Sequence, residues 1–373
     1  MKTAIVYDRV NKWGGAERVL LTLHELFPDA PIYTSVYSPE KATWAKVFPE
    51  VIPSFLQNIP CLRDKHEYLA PFMPIAFESL NLTRSDLVIS VTSEAAKGVI
   101  TKPGTLHVCY CLTPTRYLWS HFDTYFSARG GPAFGWKGIT KPVVTYLRSW
   151  DKIAAQRPDV VIAISTAVQD RIKKYYNRGS EIIYPPVDIE KFQRKSVDTT
   201  SLRSDVVKQR RYFLIVSRLV PYKKVDLAIE AFNELGLPLV VVGTGSEEKK
   251  YKFKYKFKNI IFKGFVDDEE LVSLYWGARA LIMPQEEDFG IVAVEAQAAG
   301  CPVIAYAKGG ASDTVINSET GVLFDTQSKN SLCNAVNTFN LMIFDRDKLI
   351  KNAEKFSTRR FKKEFVDLIN IKV

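Results

Sequence analysis

Two carboxylates stand on either side of a turn that leads from an apolar strand into a helix in the second half of the chain. Glu287 lies in the turn, and Glu295 lies in the helix that follows it. Carboxylates accept bidentate hydrogen bonds, so both residues suit the hydroxyl pairs of a sugar or a ribose. Between them, Gly290 and Ile291 can present backbone N–H groups to a phosphate at the helix start.

A second strand-to-helix turn carries two cations. Arg218 and Lys223 follow the predicted strand Tyr212–Ser217 and precede the predicted helix Val225–Glu234. Cations beside free backbone donors suit a diphosphate whose negative charge rises as it departs as a leaving group. The spacing alone is equally compatible with a solvated basic turn.

Paired glycines follow the first predicted strand, Thr3–Tyr7. Gly14 and Gly15 precede the predicted helix Ala16–Leu26, where backbone N–H groups can approach a phosphate or sugar closely. The pattern is not the GxGxxG of dinucleotide-binding proteins. Taken alone, it is just as typical of a structural turn.

Short β-branched strands alternate with longer helical patterns in both halves of the chain, which predicts two α/β lobes with parallel sheets. The length of 373 residues fits two domains. A polar, poorly patterned stretch predicts a linker at 196–210, between an amino-terminal lobe of 1–195 and a carboxyl-terminal lobe of 211–355. Two doubly wound lobes facing a central cleft bind ligands outside the carboxyl ends of their strands. A further helix is predicted at Val292–Ala299. The other predicted strands are Asp86–Val91, His107–Cys111, Val160–Ile164, Leu239–Gly243, Ile260–Phe262, Ala280–Met283 and Pro302–Ala305.

Composition limits the class of protein. The chain has 46% hydrophobic and 25% charged residues and contains no apolar run long enough to span a membrane, and its first residues, MKTAIVYDRV, are not expected to act as a secretory signal. These features predict a cytoplasmic protein whose five cysteines are free thiols, with Cys109 and Cys111 packed in a core rather than bound to a metal. The net charge of +10 permits anionic partners without choosing among them.

Lysines alternate with aromatic residues in the stretch 249–258, KKYKFKYKFK. Such alternation is compatible with a strip on which nucleic-acid bases stack. A lysine-rich surface segment whose aromatic rings pack inward is the favoured interpretation, so no nucleic-acid partner is predicted.

The strings around these motifs resemble glycosyltransferase family 4. In the second half the resemblance is carried, in the family's order and spacing, by SRLVPYKKVDLAIEAF, VVGTGSE, GFVDDEELVSLYWGARALIMPQEEDFGIVAVEAQAAGCPVIAYAKGG and ETGVLF. The first half is similar to a narrower group that includes mannosyltransferases of surface-polysaccharide assembly, through WGGAERVLLTLHELFPDAPIYT, MPIAFESL, AAKGVITKPGTLHVCYCLTPTRYLW and IIYPPVD. The likeness covers nearly the whole chain and implies the two-lobed GT-B fold. It also implies that a terminal helix, 356–373, returns to pack on the first lobe.

The resemblance assigns roles to individual residues. Arg218 and Lys223 would bind the donor diphosphate and stabilise it as leaving group, Glu287 would contact the hydroxyls of the transferred sugar, and Glu295 would contact the ribose. The other residues expected to bind the donor are Gly14, Gly15, Val266, Phe289, Gly290, Ile291 and Val292. The acceptor is assigned to Thr113 and Arg116.

Family members generally transfer sugars with retention of configuration, by front-face attack in which the departing phosphate takes the acceptor proton. No protein nucleophile is then needed. Neither a metal nor any other cofactor is expected beyond the nucleotide-sugar donor.

Two positions depart from the family pattern. Leu112 stands where relatives often carry a histidine that touches the donor sugar or orients the acceptor, and Asp313 stands where glutamate is more usual. His107 lies five residues before Leu112, on the predicted strand His107–Cys111, and is expected to be a core or edge histidine rather than a substitute.

The resemblance therefore implies a retaining hexosyltransferase, with mannose from GDP-mannose as the favoured donor and a glycan or lipid-linked saccharide as acceptor. A UDP- or dTDP-sugar donor is the alternative within the same fold. A catalytically inactive scaffold is a further alternative, against which the presence of Arg218, Lys223, Glu287 and Glu295 argues. Contact with the inner face of a membrane stays open, and the oligomeric state is not predicted.

Overall fold

A computed structural model describes residues 1–59, 66–120, 140–193, 212–255 and 257–372. The chain divides into two compact units. The first comprises Met1–Tyr184 with Phe361–Val373, and the second comprises Pro185–Arg360. The predicted linker, 196–210, lies outside the described residues.

The division between the units falls earlier than the predicted boundary at residue 195. Residues 185–193 group with the second unit because they make hydrogen bonds to it. The Val187 N–H donates to the Phe356 carbonyl and the Trp276 indole donates to the Phe192 carbonyl, both at 2.9 Å. The sequence did not predict these hydrogen bonds, because Pro185 and Pro186 interrupt the pattern and a polar stretch follows them.

The first unit contains a parallel sheet of seven strands in the order β3-β2-β1-β4-β5-β6-β7. Its strands are β1 Thr3–Tyr7, β2 Ile32–Thr34, β3 Val51–Pro53, β4 Leu87–Thr92, β5 Leu106–Cys111, β6 Val160–Ala163 and β7 Glu181–Ile182. Its helices are α1 Gly15–Leu26, α2 Met73–Glu78, α3 Thr140–Ala154 and α4 Thr166–Tyr176. The central strands are nearly continuous apolar runs because a parallel sheet is covered by other elements on both faces.

The second unit contains a parallel sheet of six strands in the order β10-β9-β8-β11-β12-β13. Its strands are β8 Tyr212–Val216, β9 Leu239–Val242, β10 Ile260–Gly264, β11 Ala278–Met283, β12 Val303–Tyr306 and β13 Gly321–Phe324. Its helices are α5 Val225–Leu235, α6 Glu248–Lys254, α7 Asp268–Gly277, α8 Ile291–Ala298, α9 Ala311–Thr314, α10 Lys329–Asn340 and α11 Arg346–Glu354. Numbered within the unit, the order is 3-2-1-4-5-6, the Rossmann order.

The final helix, α12 Thr358–Lys372, begins in the second unit and continues in the first. Phe361 and Phe365 are buried, and Phe361 packs edge-on against Tyr110 of β5 with ring centroids 5.7 Å apart. Lys362 pairs with Glu25 of α1. These contacts attach the end of the chain to the first unit.

The predicted strands and helices are all present, with ends within two residues of those predicted. Four further strands were not predicted: β2, β3 and β7 are two or three residues long and too short to show a pattern of their own, and β13 has four residues. Among the described residues, no helix has both the length and the apolar character needed to cross a membrane.

Each sheet has a point at which the strand order reverses, between β1 and β4 in the first unit and between β8 and β11 in the second. Connections leave the two strands in opposite directions there, and the carboxyl ends of the strands border a crevice. In the first unit, Asp8 fixes this point. Its buried carboxylate accepts hydrogen bonds from the Thr92 hydroxyl at 2.8 Å and from the N–H groups of Ala95 and Ala96 at 2.9 Å.

Candidate active site

An ion pair joins the two strands at the reversal point of the second unit. Lys223 ends a short 3₁₀ helix, Pro221–Lys223, in the turn after β8, and Glu287 lies in the turn after β11. The Lys223 ammonium donates to Glu287 Oε1, and the two side chains are only 12% and 15% exposed. The paired residues are thus held at the carboxyl edge of the sheet, where a ligand is expected.

Gln285 is a second donor to the same carboxylate, which the sequence analysis did not find. Its side-chain amide donates to Glu287 Oε1 at 2.8 Å. Because Lys223 and Gln285 both bond to Oε1, Oε2 keeps acceptor capacity for a hydroxyl group. From the sequence, only the position of Gln285, two residues before Glu287 in the same turn, could have indicated that it contacts this carboxylate.

The backbone of Glu287 rests on a glycine pair after β12. The Gly310 N–H donates to the Glu287 carbonyl at 2.8 Å. Gly309 has φ +73°, and a Cβ there would lie 2.0 Å from the Glu287 carbonyl oxygen. A Cβ on Gly310 would lie 2.2 Å from the Cα of Phe289. Only residues without side chains allow this approach, which places the Glu287 turn.

Arg218 and Lys223 share one turn and one organising side chain. The exposed Arg218 guanidinium donates to the Tyr222 hydroxyl, and the Lys223 ammonium lies 5.3 Å from the centroid of the Tyr222 ring. Two cations held in this way can bind the two phosphates of a diphosphate. Tyr222 is a further residue that the sequence analysis did not single out.

Glu295 is buried, with 1% of its surface exposed. The Tyr275 hydroxyl of α7 donates to Glu295 Oε2 at 2.9 Å. A buried carboxylate is costly without such partners. The interpretation of Glu295 as a solvated helix face is therefore excluded, and Tyr275 is the partner that the sequence did not reveal.

The residues between the two glutamates form the start of α8. Gly290 caps the helix with φ +90°, and Ile291 and Val292 are half-buried in its first turn. Backbone N–H groups at the start of a helix can bind an anion, although that of Ala293 already donates to the Gly290 carbonyl at 2.9 Å. Phe289 is buried and packs edge-on against Phe356, with centroids 5.5 Å apart, so it anchors the turn. Val266 is half-buried just beyond the end of β10.

In the first unit, the glycine pair lies at the carboxyl end of β1, as predicted. Gly14 caps α1 in extended backbone with φ −176°, and Gly15 begins the helix. The conformation does not demand glycine at Gly14, but a Cβ there would lie 3.1 Å from Glu17 Oε2. Glu17 is buried, burial raises the pKa of its carboxyl, and it accepts a hydrogen bond from the Tyr7 hydroxyl at 2.9 Å.

The residues assigned to the acceptor follow β5. Thr113 is buried and Arg116 is half-buried. The Arg171 guanidinium lies 3.5 Å from the Thr113 hydroxyl, a weak hydrogen bond. The backbone N–H of the preceding Leu112 donates to the Thr92 carbonyl at 2.8 Å, so Leu112 also lies at the carboxyl edge of the sheet.

His107 does not replace the histidine that is missing at position 112. It lies near the start of β5, and five residues at about 3.3 Å each put about 16 Å between the two positions. His107 is buried, pairs with the Ser90 hydroxyl at 2.9 Å, and burial lowers its pKa to about 3. The prediction of a core histidine is confirmed.

The remaining sequence motifs are structural. Cys109 and Cys111 are buried and free, and burial raises the pKa of Cys109 to about 11. Among the described residues, no three His, Cys, Asp or Glu side chains are placed to hold a metal ion.

The lysine-aromatic stretch does not expose its rings as a continuous strip within the described residues. Tyr251 and Tyr255 are buried in the core of the second unit, and Phe257 packs partly against it. Phe253 is 81% exposed. The inward packing that was favoured from sequence is confirmed for all but Phe253.

Comparison with known proteins agrees with this geometry. The pattern described as Glycosyltransferase Family 4 matches residues 13–191, and the one described as Glycosyl transferases group 1 matches residues 198–356. This chain belongs to glycosyltransferase family 4. Both halves of the family pattern are thus present, each centred on one of the two units.

Individual relatives are more distant. The GDP-mannose-dependent alpha-(1-6)-phosphatidylinositol monomannoside mannosyltransferase of Mycobacterium tuberculosis is 30% identical over 212 residues, which cover 52% of this chain and 54% of that protein. This family 4 chain spans about half the length of the curated relatives it matches.

Solved structures share the fold along the whole chain. Anabaena Alr3699/HepE in complex with UDP is 20% identical, with a TM-score of 0.70, over 99% of this chain and 100% of that one. The sucrose-phosphate synthase of Thermosynechococcus elongatus is 18% identical, with a TM-score of 0.69, over 99% of this chain and 98% of that one. The GT-B pair of Rossmann-like domains is therefore the fold of this chain.

Proposed function

We propose that this family 4 chain is a retaining hexosyltransferase that transfers mannose from GDP-mannose to a glycan or a lipid-linked saccharide. The observation that carries the proposal is the Lys223–Glu287 pair at the reversal point of the second sheet. It combines a cation for the diphosphate with a carboxylate for the sugar at the edge where such sheets bind ligands.

Each group has a distinct task in this reaction. Arg218 and Lys223 bind the diphosphate and stabilise the negative charge that develops on it as the bond to the sugar breaks. Glu287 accepts hydrogen bonds from the sugar hydroxyls through the oxygen that Lys223 and Gln285 leave available. Glu295, oriented by Tyr275, is assigned to the ribose.

The first turn of α8 supplies backbone donors to the phosphates. Attack by the acceptor on the same face as the leaving group gives retention, and the departing phosphate takes the acceptor proton. No carboxylate of the chain has to act as a nucleophile, and the charge compensation comes from Arg218 and Lys223 rather than from a metal.

GDP-mannose is favoured because the 30% identical mycobacterial relative is a GDP-mannose-dependent enzyme. A UDP-sugar is the second candidate. It is favoured by the solved structure with UDP that matches 99% of this chain. The lipid-linked acceptor and the net charge of +10 are consistent with work at the anionic inner face of a membrane.

A donor screen tests the proposal. Release of GDP from GDP-mannose, UDP from UDP-glucose and dTDP from dTDP-glucose is measured without acceptor, in the presence and absence of EDTA, and binding of each donor is measured by calorimetry. We expect turnover and binding with GDP-mannose, unchanged by EDTA. Turnover with UDP-glucose alone would establish the second candidate, and binding without turnover of any donor would favour the inactive scaffold.

Two matched pairs of variants test the residues. Lys223→Ala should lower the rate of donor hydrolysis on the order of 10²-fold or more, because it removes a preorganised charge contact. Lys224→Asn is its control, since Lys224 is exposed and has φ +52°, a conformation that asparagine tolerates. Glu287→Gln, paired with Glu286→Gln at the exposed neighbour, tests the sugar contact. Equal losses in a variant and its control would contradict the assignment.

A further inference from the structure

The indole of Trp13 is unusually open for a tryptophan. Trp13 is 54% exposed, whereas the other tryptophans in the described part of the chain are at least half-buried. Trp13 directly precedes Gly14 and Gly15 in the loop that connects β1, which ends at Tyr7, to α1, which begins at Gly15. Because β1 borders the reversal point of the first sheet, this aromatic face lies at the edge where such sheets bind ligands.

Trp13 is held in place by neighbouring aromatic residues. The Trp44 indole N–H donates to the carbonyl of Lys12 at 2.8 Å, which fixes the backbone beside Trp13. The Trp13 and Trp44 ring centroids are 6.5 Å apart, and Trp44 packs edge-on against the buried Phe48 at 6.2 Å. Phe48 in turn contacts the His24 ring of α1 at 4.8 Å. The exposed indole is thus anchored to the body of the first unit.

The surroundings favour a saccharide as the occupant. The residues next to Trp13 in the chain are polar or lack side chains: the exposed Lys12 precedes it, and the half-exposed Gly14 and the exposed Gly15 follow it. A pyranose ring has an apolar face of C–H groups and an edge of hydroxyl groups. It can stack its C–H face on an indole while its hydroxyls meet polar groups beside the ring.

We propose that the indole face of Trp13 is a stacking platform for one pyranose ring of the acceptor saccharide. This inference rests on the proposed function, which makes the acceptor a saccharide. It adds a specificity-determining contact to the first unit, beyond the polar residues Thr113 and Arg116 assigned from the family resemblance. A rigid aromatic face loses little conformational entropy on binding, so the anchored ring is suited to this task.

The experiment uses the full chain and two named probes, methyl α-D-mannopyranoside and methyl α-D-mannobioside. Saturation-transfer NMR reports which sugar protons contact the protein, and titration gives the dissociation constant. We expect the saturation transfer to be concentrated on the C–H protons of one face of the pyranose ring. Trp13→Ala should weaken binding about 10-fold, and Trp13→Phe, which keeps an aromatic face, should recover most of the loss.

Phe55→Ala is the matched control, because Phe55 is a 45% exposed aromatic residue of the same unit. Its binding of both probes should equal that of the parent chain. The proposed stacking on Trp13 would be refuted if Trp13→Ala bound the probes as tightly as the parent chain, or if neither probe showed saturation transfer from the protein.

Hydrolysis of GDP-mannose by the same variants separates the two hypotheses. Phe55→Ala should hydrolyse the donor at the parent rate, and Trp13→Ala should lose affinity for the saccharide probes in the absence of donor. Absence of donor binding and hydrolysis in the parent chain would contradict the proposed function, whereas the contact of saccharides with Trp13 is read independently from the NMR experiment.

Discussion

Replacing Gly309 by alanine should both destabilise the second unit and displace its active-site carboxylate. Gly309 has φ +73°, and its added Cβ would lie 2.0 Å from the carbonyl oxygen of Glu287. That oxygen accepts the N–H of Gly310 at 2.8 Å. The backbone has to shift, so the hydrogen bond and the position of the Glu287 turn are lost together.

The magnitude follows from three contributions. A left-handed φ costs an alanine about 1 kcal/mol or more. Loss of the Gly310 hydrogen bond adds about 1–3 kcal/mol, and overpacking adds about 1–3 kcal/mol. We therefore expect Gly309→Ala to lower the free energy of unfolding by about 3 kcal/mol or more, and to lower donor turnover about 10²-fold through misplacement of Glu287.

Gly236→Ala is the matched control. Gly236 has φ +64° in the same unit, but a Cβ there meets nothing within 4 Å, so only the conformational cost of about 1 kcal/mol applies. Urea unfolding followed by circular dichroism measures the two free energies, and release of nucleotide from the donor measures the rates. Equal destabilisation of the two variants, or full donor turnover in Gly309→Ala, would refute the reasoning.

Two other predictions concern buried groups of the first unit. Because burial lowers the pKa of His107 to about 3, its contribution to stability is present above pH 6.5 and is lost as the pH falls towards 3. The stability difference between the parent chain and His107→Gln should change by about 1.4 kcal/mol per pH unit between pH 6 and pH 4 in urea titrations, and a pH-independent difference would contradict this. Lys97 and Asp151 form a buried ion pair at 2.6 Å, so Lys97→Met and Asp151→Leu should each cost about 3–5 kcal/mol. The double variant should lose less than the sum in thermal unfolding, and additive losses would show that the pair is not coupled.

The local sequence pattern determined the elements. Apolar runs such as those of β1 and β4 specify buried parallel strands, because each run is long enough for its hydrophobic pattern to be read without its neighbours. The motif strings specified the family, and they named Lys223 and Glu287 correctly as residues that come after strands. Strands of two or three residues, such as β7, carry too few side chains for any pattern to be recognised.

Contacts between distant segments were decided only by the tertiary structure. Lys223 and Glu287 are 64 residues apart and meet because the strand order places β8 beside β11. The same holds for Tyr275, which reaches Glu295 from another helix, and for the docking of Val187 on Phe356. A local pattern specifies which face of an element is apolar, but it does not specify which element will cover that face. The residue types of the candidate site could therefore be read from the sequence, whereas their partners and the exposure of Trp13 depended on the packing of elements far apart in the chain.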